Sequence, residues 1–238
     1  MNTAPVILVT GCNRGLGLEF VKQYAELGWE VIATAREPQH APELSALAAQ
    51  HRKVTIEALD VGDPYAITEL AGRYVGKSID VLLNNAGLLG DRNTQAFKHL
   101  DFNSFEEIMR VNAYGPLAIA RAFLPNILAG QQKKIIGITS GLSSITNTSQ
   151  FGNLYFYRMS KTALNMGLRV LQVELREVGV KVGILAPGMV DTRLMRSSGY
   201  QGSGVLQVSQ SVAAVIKNIE RLSQSAEIIL YTGETVPW

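Results

Sequence analysis

The run Val6-Ile7-Leu8-Val9-Thr10-Gly11-Cys12-Asn13-Arg14-Gly15-Leu16-Gly17 joins a strand to a helix through glycine. Its first four residues are an apolar segment of strand length, and the run from Leu18 to Leu27 has helical periodicity through Phe20, Tyr24 and Leu27. Glycines in the turn permit a tight bend and let backbone N–H groups and a helix N-terminus approach a pyrophosphate. The spacing is Gly-x-x-x-Gly-x-Gly, not the Gly-x-Gly-x-x-Gly of the longer dinucleotide fingerprint. A glycine turn with no ligand is the alternative, and the strand before and the helix after weigh against it.

The alternation continues outward. Val31 to Ala33, Val54 to Leu59, Ile79 to Leu83, Ile135 to Ile138, Val182 to Leu185 and Ile228 to Tyr231 are short apolar runs separated by helical segments such as Val212, Ile216 and Ile219. Near-continuous apolar strands alternating with helices predict an α/β fold. The expected architecture is a doubly wound parallel sheet of about seven strands, the Rossmann fold, with helices on both faces. Ligands on such sheets bind at the carboxyl ends of the strands. No repeat or linker interrupts the pattern, so residues 1–238 are expected to form one domain, with a substrate flap at about 189–204.

With 238 residues and 47% hydrophobic content, the chain can bury a sizeable core. A net charge of +2, with the basic residues scattered, gives no electrostatic case for nucleic acid or a membrane surface. The single cysteine, Cys12, allows no internal disulfide and suits a reducing compartment. The first strand begins so early that a signal peptide has no room, and no apolar run approaches the ~18 residues of a membrane span. A cytoplasmic protein is expected. His40, His51 and His99 have no metal-ligand spacing, so no metal is expected.

Cofactor choice is read at the end of the second strand. An NAD site usually places a carboxylate there for the ribose 2′-hydroxyl. This chain has Ala35 and Arg36, with Arg14 in the glycine loop. Two guanidiniums near the adenosine ribose would hold a 2′-phosphate, so NADP(H) is expected over NAD(H). Glu37 dissents, but it comes late and Pro38 turns the chain. Two solvated surface arginines are the alternative.

Tyr157 and Lys161, four residues apart, fall on one helix face. A cation that close favours the phenolate, so the pair predicts a tyrosine acid/base working near neutral pH.

Asp60-Val61 follows the third strand, Asn84-Asn85-Ala86-Gly87 the fourth, Ser140 the fifth and Pro187-Gly188 the sixth. With the glycine loop and Tyr157/Lys161, these motifs resemble the short-chain dehydrogenase/reductase family over nearly the whole chain. The run Tyr157-Arg158-x-Ser160-Lys161-x-Ala163-Leu164-Asn165 and the Pro237-Trp238 terminus are similar to its carbonyl-reductase-like branch, which includes the C-factor and sniffer proteins. The resemblance implies that Tyr157 is the acid/base and that Lys161 lowers its pKa and binds the nicotinamide ribose. It implies that Ser140 hydrogen-bonds the substrate oxygen and that Asn112 holds a water linking Lys161 to solvent. Gly11, Gly15 and Gly17 would shape the diphosphate loop, with Asn13, Arg14 and Leu16 among the cofactor-binding residues. Asp60 and Val61 would flank the adenine, and Asn85 would lie near the adenosine ribose, with Ala86 and Gly87 also among the cofactor-binding residues. Pro187, Gly188 and Thr192 would border the nicotinamide end, with Val190 also among the cofactor-binding residues.

The family's serine usually stands about a dozen residues before its tyrosine, a count that Ser144 fits better than Ser140. Strand register favours Ser140, which ends the run Ile135 to Ser140 at the sheet's carboxyl edge. Asn112 lies in a helical segment from Phe105 to Leu128, and Pro116 deprives its carbonyl of the i+4 partner. The helix should kink there, leaving a carbonyl able to bind water. A simple Gly115-Pro116 helix break is the alternative. Tyr155 has no lysine partner and reads as a wall or packing residue. Cys12 at a helix N-terminus could be reactive, but a small residue filling the turn is the plainer reading.

The expected activity is NADPH-dependent reduction of an aldehyde or ketone. On the resemblance, Leu142, Ile145, Phe151, Leu154, Met189, Leu194 and Met195 line an apolar pocket. The alternative is an NAD(P)-binding regulatory protein with incidental turnover, while an epimerase or dehydratase would need a longer substrate domain. The resemblance implies a homodimer or homotetramer joined through long helices. Leu164, Leu168, Leu171 and Leu175 give the segment Leu154 to Val178 more apolar surface than one buried face needs.

Overall fold

Side-chain alternation along the strands divides the apolar residues between two layers. In β1 (Val6–Val9), Val6 and Leu8 face one layer and Ile7 and Val9 the other. The computed structural model describes residues 4–148, 152–200, 203–223 and 227–238. Its sheet runs in the order β3 (Val54–Ala58), β2 (Glu30–Ala35), β1, β4 (Val81–Asn84), β5 (Lys134–Ile138), β6 (Lys181–Ala186), β7 (Ile228–Leu230) and β8 (Thr235–Val236). Every pairing is parallel except β7 with β8. The order reverses between β1 and β4, and at that switch point the carboxyl ends open a crevice.

Helices cover both faces. On one lie α1 (Gly15–Glu26), α2 (Pro42–Gln50) and α9 (Val208–Arg221), which insert Phe20, Leu44 and Val212. On the other, α3 (Pro64–Arg73), α5 (Gly115–Ala122), α6 (Leu124–Ala129) and α7 (Tyr155–Glu174) contribute Leu70, Ile119, Ile127 and Leu168. Two short helices, α4 (Asn103–Met109) and α8 (Arg193–Ser197), precede α5 and α9 respectively. Among the described residues, no helix is long and apolar enough to cross a membrane.

Three details differ from expectation. An eighth strand joins the seven, because Gly233 turns the chain back and sets Val236 against Ile228. The segment expected as one kinked helix is α4, a π turn (Arg110–Tyr114), α5 and α6. Gly115 N–H reaches back to the Arg110 carbonyl, one residue wider than an α-helical bond, and Pro125 starts the second break. Finally, the leucines of α7 serve the chain's own core. Leu164 and Leu168 are fully buried, and Leu171 and Leu175 pack against them. Among the large side chains that α7 leaves exposed are Tyr155, Met159, Met166, Val170 and Val173.

Candidate active site

The glycine loop is built by contact with the loop after β4. Gly11 and Gly15 have left-handed backbone (φ 71° and 58°), and a Cβ at Gly11 would stand 2.8 Å from Ala86 Cα. The Thr10 hydroxyl accepts from the N–H groups of Asn85 and Ala86, each at 3.0 Å. Asn85 answers by donating its side-chain N–H to the carbonyls of Thr10 at 2.9 Å and Gly11 at 3.2 Å. Its carboxamide nitrogen is therefore spent on bracing the loop. No side chain caps α1 and no acid lies in its first turn. Among the described residues nothing accepts from the N–H groups of Leu16 and Gly17, so these and the positive end of the helix dipole remain to receive an anion. Thr192 leans over this turn, its Cγ2 3.5 Å from where a Gly15 Cβ would be. Together these features fit a dinucleotide's diphosphate.

Farther along the crevice, Arg14 and Arg36 are exposed and neither has an ion pair among the described residues. Glu37 instead faces His40 at 3.2 Å, inside the turn that Pro38 begins. Asp60 Oδ1 accepts from Gly62 N–H at 2.8 Å. Val61 is buried, and its carbonyl packs so closely on the π turn that a Cβ at Gly115 would meet it at 2.5 Å.

At the other end of the crevice, Tyr157, Ser140, Lys161 and Asn112 converge. Tyr157 and Lys161 share the buried face of α7. The Ser140 hydroxyl, at the carboxyl end of β5, faces the phenol closely enough to favour its ionised form. Burial acts the other way and more strongly, so the phenol lies above its ordinary range. Lys161 Nζ donates to the Ile138 carbonyl at 2.9 Å, and burial lowers its pKa to about 8. Asn112 is fully buried beside it. Its Oδ1 accepts from Leu88 N–H at 2.7 Å, and its Nδ2 donates to Leu88 O at 2.8 Å and Ser160 Oγ at 2.9 Å. Ser160 in turn donates to the Tyr157 carbonyl at 2.8 Å. Gly87 has no side chain to intrude; a Cβ there would lie 3.4 Å from Lys161 Nζ and 3.5 Å from Asn112 Oδ1.

The neighbouring residues sort themselves by contact. Ser144 donates to the Pro237 carbonyl at 2.7 Å and accepts from Asn147 N–H, so its hydroxyl is engaged away from the phenol. Tyr155 is partly exposed and stacks near Phe97. Cys12 is buried under the glycine loop, donating to the Val9 carbonyl at 3.1 Å, and burial pushes its thiol well up. Leu142 and Leu154 pack with Tyr157 and with Leu89, which sequence reasoning missed. Ile145, Met189 and Leu194 are exposed, while Met195 is half-buried. Phe151, and Gln201 and Gly202 of the expected flap, lie outside the described residues. Pro187 accepts from Ser211 Oγ, Val190 bridges to Leu206, and Thr192 caps α8 through Met195 N–H.

Gln95 and Thr10 are further residues missed. Gln95 sits in a polar stretch with no periodicity to mark it, whereas Thr10 adjoins the first glycine and could have been suspected.

A family model described as short chain dehydrogenase matches residues 5–202. The chain belongs to that family. This short-chain dehydrogenase is similar to the NADPH-bound carbonyl reductase from chicken fatty liver, with a TM-score of 0.89 and 32% identity over 100% of both chains. It is similar also to the carbonyl reductase Sniffer of D. melanogaster, with a TM-score of 0.88 and 29% identity over 99% of this chain and 100% of Sniffer. The C-signal of Myxococcus xanthus is 33% identical over 162 residues, covering 67% of this chain and 93% of C-signal. The chain is thus an oxidoreductase of the carbonyl-reductase-like branch.

Proposed function

We propose that this short-chain dehydrogenase reduces an aldehyde or ketone to an alcohol with NADPH. The observation that carries the proposal is the Ser140 hydroxyl facing the Tyr157 phenol, with the Lys161 ammonium buried one turn away. When bound, the dinucleotide supplies the hydride. The glycine-loop amides and Thr192 would hold its diphosphate, and Arg14 and Arg36 its 2′-phosphate. Among the described residues Lys161 Nζ bonds only Ile138, so two of its three donors are left for ribose hydroxyls.

Ser140 donates to the substrate oxygen and polarises the carbonyl. Tyr157 then gives its phenolic proton to that oxygen as the carbon is reduced. Burial alone would oppose the phenolate that results, so Ser140 and the Lys161 charge must offset it. Leu89, Leu142 and Leu154 around the phenol favour an apolar substrate.

The test follows NADPH absorbance with a panel of aldehydes and ketones. Turnover with at least one, and its loss in Tyr157→Phe with NADPH binding retained, is the expected result. Failure to oxidise NADPH with any carbonyl would overturn the proposal and favour a nucleotide-responsive regulator. For the cofactor, Arg36→Ala should weaken NADPH binding roughly tenfold or more and leave NADH nearly unchanged, as loss of a charge-assisted pair predicts.

A further inference from the structure

The helix that carries Tyr157 begins without a cap of its own. Leu154, the residue before α7, has left-handed backbone (φ 57°, ψ 41°) and offers no side-chain acceptor. The N–H groups of the first turn therefore need partners from elsewhere. Tyr157 is the third residue of that turn, and its N–H donates to Gln95 Oε1 at 2.9 Å. Gln95 ends a short 3₁₀ turn (Asn93–Gln95) and lies 62 positions upstream.

Both arms of this carboxamide are in use, and its side chain is fully buried. Nε2 donates to the carbonyls of Leu89 at 2.7 Å and Asp91 at 3.2 Å. Leu89 packs in the apolar cluster with Tyr157 and Leu154. One side chain thus ties the wall of the cleft to the backbone of the tyrosine. A bulky residue in left-handed backbone is strained, and such strain persists only where surrounding contacts enforce it. The Gln95 bond and the Leu154 packing are among those contacts, together with Arg158 Nε, which donates to the Asn153 carbonyl at 2.9 Å.

We propose that Gln95 is a positioning residue, a helix cap supplied from a distant loop that fixes Tyr157 for proton transfer. Without it the first turn of α7 is free to shift, and misplacement of about 1 Å can cost roughly 100-fold in rate. The proposal rests on the reading of Tyr157 as the acid.

Two substitutions test it. Gln95→Leu keeps the bulk and removes both arms. Gln95→Glu keeps the shape, and when protonated it can still accept from Tyr157 N–H while its O–H donates to the Leu89 carbonyl. When ionised, the new carboxylate has no proton to donate and repels both carbonyls. The leucine variant should lose kcat about tenfold or more, with NADPH affinity, read by fluorescence titration, changed less than about twofold. The glutamate variant should stay near wild type in mildly acidic solution and lose kcat as pH rises, through an ionisation that the wild type lacks. Wild-type kcat in the leucine variant, or a wild-type pH profile in the glutamate variant, would overturn the proposal. If the leucine variant does not fold, the pH profile of the glutamate variant decides alone. Turnover in Tyr157→Phe would defeat the reading of the tyrosine; loss there with wild-type kcat in both Gln95 variants would defeat only the role of Gln95.

Discussion

Burial moves Lys161 and Tyr157 away from their ordinary pKa values in opposite directions, each toward its neutral form. The spacing of the pair predicted a different balance, with the cation pulling the phenol down. In the folded chain the Lys161 ammonium turns to the Ile138 carbonyl, and it is Ser140 that draws Tyr157 partly back. Lys161 leaves a signature in stability. Between its folded pKa of about 8 and its ordinary 10.5, the unfolded chain holds the proton and the folded one releases it. The unfolded state then binds more protons, so stability rises with pH across that window, and the burial cost is felt in full below it. Relative to Lys161→Met, the wild type should gain up to roughly 3 kcal/mol between those limits, read by denaturant unfolding at several pH values. The Tyr157 contribution runs the other way above its ordinary value and, being common to both proteins, cancels. The two serines separate just as sharply. Ser140→Ala should lower kcat by roughly 100-fold, as loss of a donor to the reacting oxygen does. Ser144→Ala should leave kcat nearly unchanged, because that hydroxyl serves the Pro237 carbonyl.

Elements show where the sequence was legible and where it was not. Strands declare themselves by apolar runs, and the glycine loop by its place between a strand and a helix. The π turn was half legible: Pro116 announced a break at Asn112, but the wider bond from Gly115 to Arg110 depends on Val61 pressing against that glycine. Gly115→Ala should therefore push the loop at Val61 and the π turn apart. We expect a loss of about 1–3 kcal/mol in stability, with weaker NADPH binding in the folded fraction. The cap on Tyr157 could not have been read at all. Gln95 and Tyr157 meet only because the chain between them folds α4 and α5 back across the sheet, and no local pattern records that approach.

Across the whole molecule, the order of layers follows from alternation, and it fixes which glycines the sheet requires. Gly137 lies inside β5, where Leu168 of α7 occupies the space that its side chain would fill. Leu168→Ala should open a cavity there and cost about 2–5 kcal/mol, measurable as a lower urea midpoint. The exposed Met159, Met166, Val170 and Val173 make a dimer or tetramer the expected state in light scattering. A last consequence concerns handling. The chain has one sulfhydryl, sealed beneath the glycine loop and held in its protonated form. Peroxide or air should find no thiolate to attack. The protein should store without reductant, run as a single band on a non-reducing gel, and take up a maleimide dye only after it has been unfolded.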